Sequence, residues 1–230
     1  MREIVLDTET TGFEPTEGHR IVEIGAVELL NHMPTGNTYH QYINPQRDVP
    51  QEALNVHGLG NDFLRDFPVF ADVADAFLTF VSGARLVIHN AAFDMKFLNA
   101  ELGWAQRPLL PDDVALDTLT MARRKFPGSP ASLDALCRRF GVDNSSREKH
   151  GALLDSEILA EVYLELIGGR QPDLVLAPQP AQRQTTVSTS WRPQPRAVPL
   201  PPRLTAAEAA SHAQFVEALG ESAIWRKYPS

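Results

Sequence analysis

The strongest constraint on this chain lies in its first dozen residues. Ile4, Val5 and Leu6 form a short apolar, partly β-branched run that reads as a buried strand. The run stops on two acids, Asp7 and Glu9, followed by small turn-forming residues up to Gly12. Residues i and i+2 of a strand project from the same face, so Asp7 and Glu9 point the same way. Like charges side by side repel, and desolvation adds to the penalty. Two readings follow. Either the acids occupy a solvated strand end whose Asp and Thr side chains cap a turn, or they share a hard divalent cation, for which carboxylate oxygens are suited.

The sequence downstream predicts what this strand pairs with. Residues 20–30 (RIVEIGAVELL) predict a second long strand and residues 37–44 (NTYHQYIN) a third, with 31–36 as the turn between them. Three strands on short connections suggest an antiparallel meander. Residues 50–56 predict a short helix closed by His57-Gly58. Over 69–81, Phe70, Val73, Ala74, Phe77, Phe80 and Val81 recur at core-facing helical spacing. Strands are then predicted over 85–89 and 114–117, and helices over 92–102, 119–125, 132–140 and 151–167. In the last helix Leu154, Ile158, Val162 and Leu166 repeat every four residues. A meander followed by alternating strands and helices predicts an α/β fold, a mixed sheet flanked by helices.

The character of the chain changes after Gly168-Gly169. Seven prolines fall between Pro178 and Pro202 among Gln, Ser, Thr and Arg, a linker composition unable to bury a core. Beyond it, 205–219 predicts a helix with Thr205 as N-cap and Glu208 completing a capping box. The expected organisation is therefore a domain over 1–175, a flexible linker over 176–204 and a docking segment over 205–230. Residues 178–230 carry six basic and three acidic side chains, which leaves the first 177 residues with −11 of the total −8. So short a terminal element cannot build its own core, which favours docking on a partner over folding back on the domain.

Composition excludes some classes. No apolar run approaches the ~20 residues of a membrane span, and the start of the chain lacks the layout of a signal peptide. The single cysteine, Cys137, permits no internal disulfide, fits a reducing cytosol and falls in a helical apolar stripe. An acidic balance argues against a generic nucleic-acid coat protein, though not against an enzyme that holds metal ions with acids.

Further acids complete the pattern. Asp94 falls early in the predicted helix over 92–102, between Phe93 and Phe97, where the helix dipole alone would also favour it. His150 and Asp155 are five apart, about 140° around a helix, so His150 belongs to the preceding loop and Asp155 to the helix. A histidine on a loop suits a proton acceptor. Asp7, Glu9, Asp94 and Asp155 together suit two hard cations that activate water for in-line attack on a phosphodiester, with His150 as general base.

DTETTG, HNAAFD and HGALLD resemble the three motifs of the DEDD 3′→5′ exonucleases, in the DEDDh subclass with a histidine ahead of the last aspartate. The likeness covers about residues 3–170, and TGFEPTEGHRIVEIGAVEL, VHGL and DTLTMARRKFPGSPASLDALCRRFGVDNS are similar to its proofreading branch. The resemblance implies a ribonuclease H-like fold and two divalent ions, Mg²⁺ or Mn²⁺, on Asp7, Glu9, Asp94 and Asp155. It also implies His150 as general base, with Thr8, Val56 and His57 near the 3′-terminal nucleotide, the last two as a wedge. His57 also reads as the C-terminal cap of a short helix, Phe93 as a core residue, and Asp117 as a helix cap outside the metal set.

The implied substrate is a single-stranded or frayed DNA 3′ end, and the implied partner is the alpha polymerase subunit of a bacterial replicative enzyme, held by the tail. The sliding clamp and a small accessory subunit are open as further partners. Gln184-Thr-Thr-Val187 only poorly approximates a clamp-binding peptide. No membrane is implied, and the location is cytoplasmic. Rival readings are an RNA-trimming relative, separated by contacts to the 2′-OH, and a non-catalytic assembly subunit, which all five motif positions argue against.

Overall fold

Strand β1 (Arg2–Thr10) lies at the centre of a five-stranded mixed sheet. The computed structural model describes residues 1–145, 149–169, 204–221 and 223–224, and the chain divides into two units, Met1–Leu176 and Ala177–Ser230. In the first unit β2 (Ile21–Leu30) and β3 (Met33–Tyr42) complete the meander. Helices α1 (Gln51–His57), α2 (Asn61–Leu64) and α3 (Phe70–Val81) follow. Strands and helices then alternate as β4 (Arg85–Ile88), α4 (Ala91–Trp104), β5 (Ala115–Asp117) and α5 (Thr118–Lys125), before α6 (Leu133–Phe140) and α7 (Ala152–Leu166). The sheet order is β3-β2-β1-β4-β5, with β1 antiparallel to β2 and parallel to β4.

Burial on both faces explains why β1 reads as a continuous apolar run. Ile4 and Leu6 pack with Phe70, Phe77, Phe97 and Leu98 from α3 and α4. Val5 packs on the opposite face with Leu159 and Tyr163 of α7. Each fully buried Phe contributes about 1.5–3 kcal/mol, enough to hold these helices firmly on the sheet. Ile158, Val162 and Leu166 of α7 face away from the sheet, onto Leu136 and Cys137 of α6 and Ala122 of α5. The four-residue repeat therefore marks the outer of two buried faces.

Two details differ from expectation. The turn predicted over 31–36 is only Asn31-His32, both at positive φ (51° and 65°), and β3 starts at Met33. Two left-handed residues match the twist of a tight hairpin, while Pro34 and Gly36 are tolerated in an edge strand beside a register irregularity between Val27 and Leu29. Helix α2 was not predicted, since four residues are too short to leave a period.

In the second unit, α8 (Ala206–Ala218) carries the expected capping box, with the Thr205 hydroxyl bound to the Glu208 backbone and the Glu208 carboxylate to the Thr205 N–H. No α8 side chain is buried, and Phe215 is exposed. Most of the expected linker, Gln184–Val187 and Trp225 lie outside the described residues. No described helix is long and apolar enough to cross a membrane.

Candidate active site

The site forms where β1 ends. Its register against β2 places Asp7 opposite Gly25 and Glu9 opposite Glu23, with an irregularity between Glu9 and Thr10. Such a kink re-aims side chains at a strand end. Gly25 has a steric reason to be glycine: a Cβ there would lie 2.1 Å from the Ala152 carbonyl carbon. Its absence lets the first turn of α7 lie directly on β2, where the Ser156 hydroxyl donates to the Gly25 carbonyl at 2.9 Å. Asp155, in that first turn, is thereby buried against the sheet at 3% exposure. His150 sits two residues ahead of the helix, exposed, with its backbone N–H donating to the Val56 carbonyl at 3.2 Å. Its Nδ1 lies 3.3 Å from Asp155 Oδ2. Glu9, His150 and Asp155 each place one ligand-type atom within 4.8 Å of the others.

Asp94 reaches the strand end from the other face. Thr8 points opposite to Asp7 and Glu9, and both its backbone N–H and its hydroxyl donate to Asp94 Oδ1, at 3.1 and 2.7 Å. The helix carrying Asp94 starts abruptly: Asn90 takes a left-handed conformation (φ 67°), which Asn tolerates better than most residues. Asp117 holds this turn, accepting from the Asn90 N–H at 2.9 Å while also capping α5 at Leu119. The cap at α5 is as the sequence predicts; the second bond, to the start of α4, is additional. Burial opposes ionisation of Asp117, yet hydrogen bonds from Thr120, Asn90, Leu119 and Ala91 together hold its carboxyl below the usual range.

Asp94 behaves oppositely. Complete burial pushes its pKa up to about 7, against the Thr8 hydrogen bonds and with the nearby Asp117 charge adding to the rise. A carboxylate this uncomfortable, bonded to the residue between Asp7 and Glu9, fits a site built for cations: positive charge would relieve both its burial and the repulsion from Asp117.

A cavity of about 300 Å³ adjoins these groups, lined by Thr8, Glu9, Phe13, Val56, His57 and Phe93 among others. Val56 and Phe13 are exposed there, whereas His57 is buried. The cap of α1 is Gly58, in the left-handed conformation (φ 79°), not His57. The His57 ring instead accepts the Leu59 N–H on Nδ1 at 3.0 Å, so its proton resides on Nε2. Burial pulls the His57 pKa down to about 4, with the Thr10 backbone partly offsetting it. Phe93 packs partly against the main core and partly lines the cavity.

The structure thus gathers Glu9, His150 and Asp155 in one cluster, ties Asp94 to Thr8, sets Asp7 on the face of Glu9, and lines the adjoining cavity with Val56 and His57. Sequence reading missed Glu23. This buried acid accepts from the Ala152 N–H at 3.2 Å and lies 2.7 Å from His40 Nε2. Its signal was a lone acid inside the apolar run IVEIGAV.

A family model described as Exonuclease matches residues 4–163. The chain belongs to the exonuclease family. This exonuclease is 58% identical over 174 residues to DNA polymerase III subunit epsilon of Rickettsia felis, covering 74% of this chain and 76% of that one. It is 52% identical over 176 residues to DNA polymerase III subunit epsilon of Escherichia coli, with 74% and 72% covered. Among solved structures it is similar to Exonuclease X in complex with 5′ overhanging duplex DNA (TM-score 0.57, 25% identity, 72% of this chain and 90% of that one). The nuclease domain of 3′hExo, a DEDDh family member, shares the fold (TM-score 0.63, 21% identity, 72% and 91% covered). The activity that accompanies this membership is 3′→5′ exonucleolytic hydrolysis.

Proposed function

We propose that this exonuclease removes mispaired nucleotides from DNA 3′ ends as the proofreading component of a bacterial DNA polymerase III. The convergence of Glu9, His150 and Asp155 within 4.8 Å, with Glu9 also lining the cavity, carries the reading. Asp7, Glu9, Asp94 and Asp155 would hold two divalent cations, Mg²⁺ or Mn²⁺. When bound, these supply Lewis-acid activation of water and neutralise charge on the phosphate.

The protein's own groups do the rest. His150 takes the proton of the attacking water, and the imidazolium so formed lies beside the Asp155 carboxylate, 3.3 Å from its Nδ1. Thr8 holds Asp94 in place. Val56 and His57 wedge against the terminal base in the cavity, His57 as an uncharged ring at neutral pH. A mispaired end frays at lower cost than a paired one, so selection for errors follows from melting rather than base reading.

In this reading residues 1–175 form the nuclease domain, 176–204 a Pro-rich tether, and 205–230 a docking segment for the polymerase III alpha subunit. An α8 without buried side chains and with Phe215 exposed supports the docking role. A tether keeps the nuclease at high local concentration near the primer end. The sliding clamp and a small accessory subunit are further candidate partners, and the site of action is the cytoplasm.

The test is a time course on 3′-mismatched and fully paired primer–template DNA and on a matching RNA strand, with Mg²⁺, Mn²⁺ or EDTA, for wild type and Asp155→Ala. Metal-dependent trimming, fastest at the mismatched DNA end and abolished in the variant, is expected. Preference for RNA would move the protein to RNA trimming, and polymerase binding without any cleavage would leave an assembly role.

A further inference from the structure

Glu23 takes no part in the chemistry above, yet its burial demands an explanation. It lies on β2 opposite Glu9 and is 3% exposed, and an acid so placed needs partners. Oε2 accepts the backbone N–H of Ala152, and Oε1 lies 2.7 Å from Nε2 of His40 on the edge strand β3. Ala152 opens α7, so its N–H has no partner within the helix, and the N-cap, Gly151, has no side chain to offer. Glu23 thus caps the helix from a neighbouring strand, and its negative charge suits the positive end of the helix dipole. The Ser156–Gly25 bond is a second grip on the same turn. The two grips flank Asp155.

We propose that Glu23, braced by His40, is a positioning residue for the nuclease reaction: it sets where the first turn of α7 rests, and so how Asp155 and His150 meet Glu9. This rests on the reading of Asp155 and His150 as working groups of the site. A displacement of about 1 Å among such groups lowers turnover by about 100-fold, so a grip on the turn matters beyond stability.

The experiment uses the full chain as wild type, Glu23→Ala, Glu23→Gln and His40→Ala. It measures kcat and KM on an oligodeoxynucleotide with Mg²⁺, the melting midpoint, and amide hydrogen exchange at Ala152 in EDTA. Glu23→Ala is expected to speed Ala152 exchange at least about 10-fold and to lower kcat about 10–100-fold, with KM within about threefold. Glu23→Gln keeps a carbonyl acceptor and restores kcat to within about fivefold, and His40→Ala shifts exchange and kcat in the same direction by less. Unchanged exchange at Ala152, unchanged kcat, or a kcat loss as deep in Glu23→Gln as in Glu23→Ala overturns the proposal. If Glu23→Ala does not fold, the same pair of readouts in His40→Ala decides it. Cleavage by the wild type in EDTA would defeat the cation reading while leaving the metal-free exchange result to judge Glu23, so the two failures are distinguishable.

Discussion

Asp94→Asn is expected to abolish activity while making the metal-free enzyme more stable. An Asn oxygen can accept both bonds that Thr8 donates to Asp94 Oδ1, so the substitution mainly removes charge. Burial pushes the Asp94 pKa from 3.8 up to about 7. The folded value lies above the unfolded one, so the folded state holds this proton to higher pH. The stability contributed is fully present below about pH 4 and is lost as pH rises through 7. The full shift of about three units corresponds to about 4 kcal/mol at most, of which about 3 kcal/mol falls between pH 5 and pH 8. Relaxation around the buried charge brings the expected gain to about 1–3 kcal/mol, or roughly 3–10 °C for a chain of this size. Thermal melts in EDTA at pH 5 and pH 8 measure it. The variant should melt above wild type at pH 8, with the gap narrowing at pH 5. Adding Mg²⁺ at pH 8 should raise the wild type far more than the variant. An equal gap at both pH values, or none at pH 8, would refute the claim that the Asp94 charge destabilises the enzyme when EDTA has removed its metals.

Other substitutions separate chemistry from scaffolding. His150→Ala should lower kcat by about 10²–10⁴ with little change in melting, because the ring is exposed; steady-state kinetics beside a melt would show it. Asp117→Ala removes the acceptor for Leu119 and Asn90, which should cost about 1–3 kcal/mol in chemical denaturation and also lower kcat, since the Asn90 turn carries Asp94. Burial pulls the His57 pKa from 6.5 down to about 4, so its contribution to stability is complete above pH 6.5 and is lost as pH falls towards 4. Relative to His57→Gln, the wild type should lose denaturation midpoint over that window, and parallel curves would place His57 in contact with water.

Much of this was legible because burial imposes patterns on sequence. The apolar run before Asp7, the spacing of Phe70, Val73 and Phe77, and the Thr205–Glu208 box each express a local rule and predict their elements. Pro34 and Gly36 misled for the same reason: they are local turn signals, overridden because an edge strand tolerates them. What sequence could not supply is which faces meet. The Thr8–Asp94 bond spans 86 residues and the Glu23–Ala152 bond 129, and no periodicity reports a partner. The Glu23–Ala152 bond nonetheless depends on one registration that is simple in retrospect. Alternate residues of a strand advance about 6.6 Å and every fourth residue of a helix about 6 Å, so the odd residues of β1 can face a four-residue row of α7 over its whole length. Tyr163 donates to buried Glu3 at 2.7 Å, Leu159 packs with Val5, and Asp155 then arrives beside Glu9. With its outer face fixed on α5 and α6, α7 can neither roll nor slide without breaking that row. The Glu9–His150–Asp155 cluster is therefore the last rung of a packing ladder, held by apolar and tyrosine contacts along α7 as well as by the Glu23 and Ser156 bonds at its first turn.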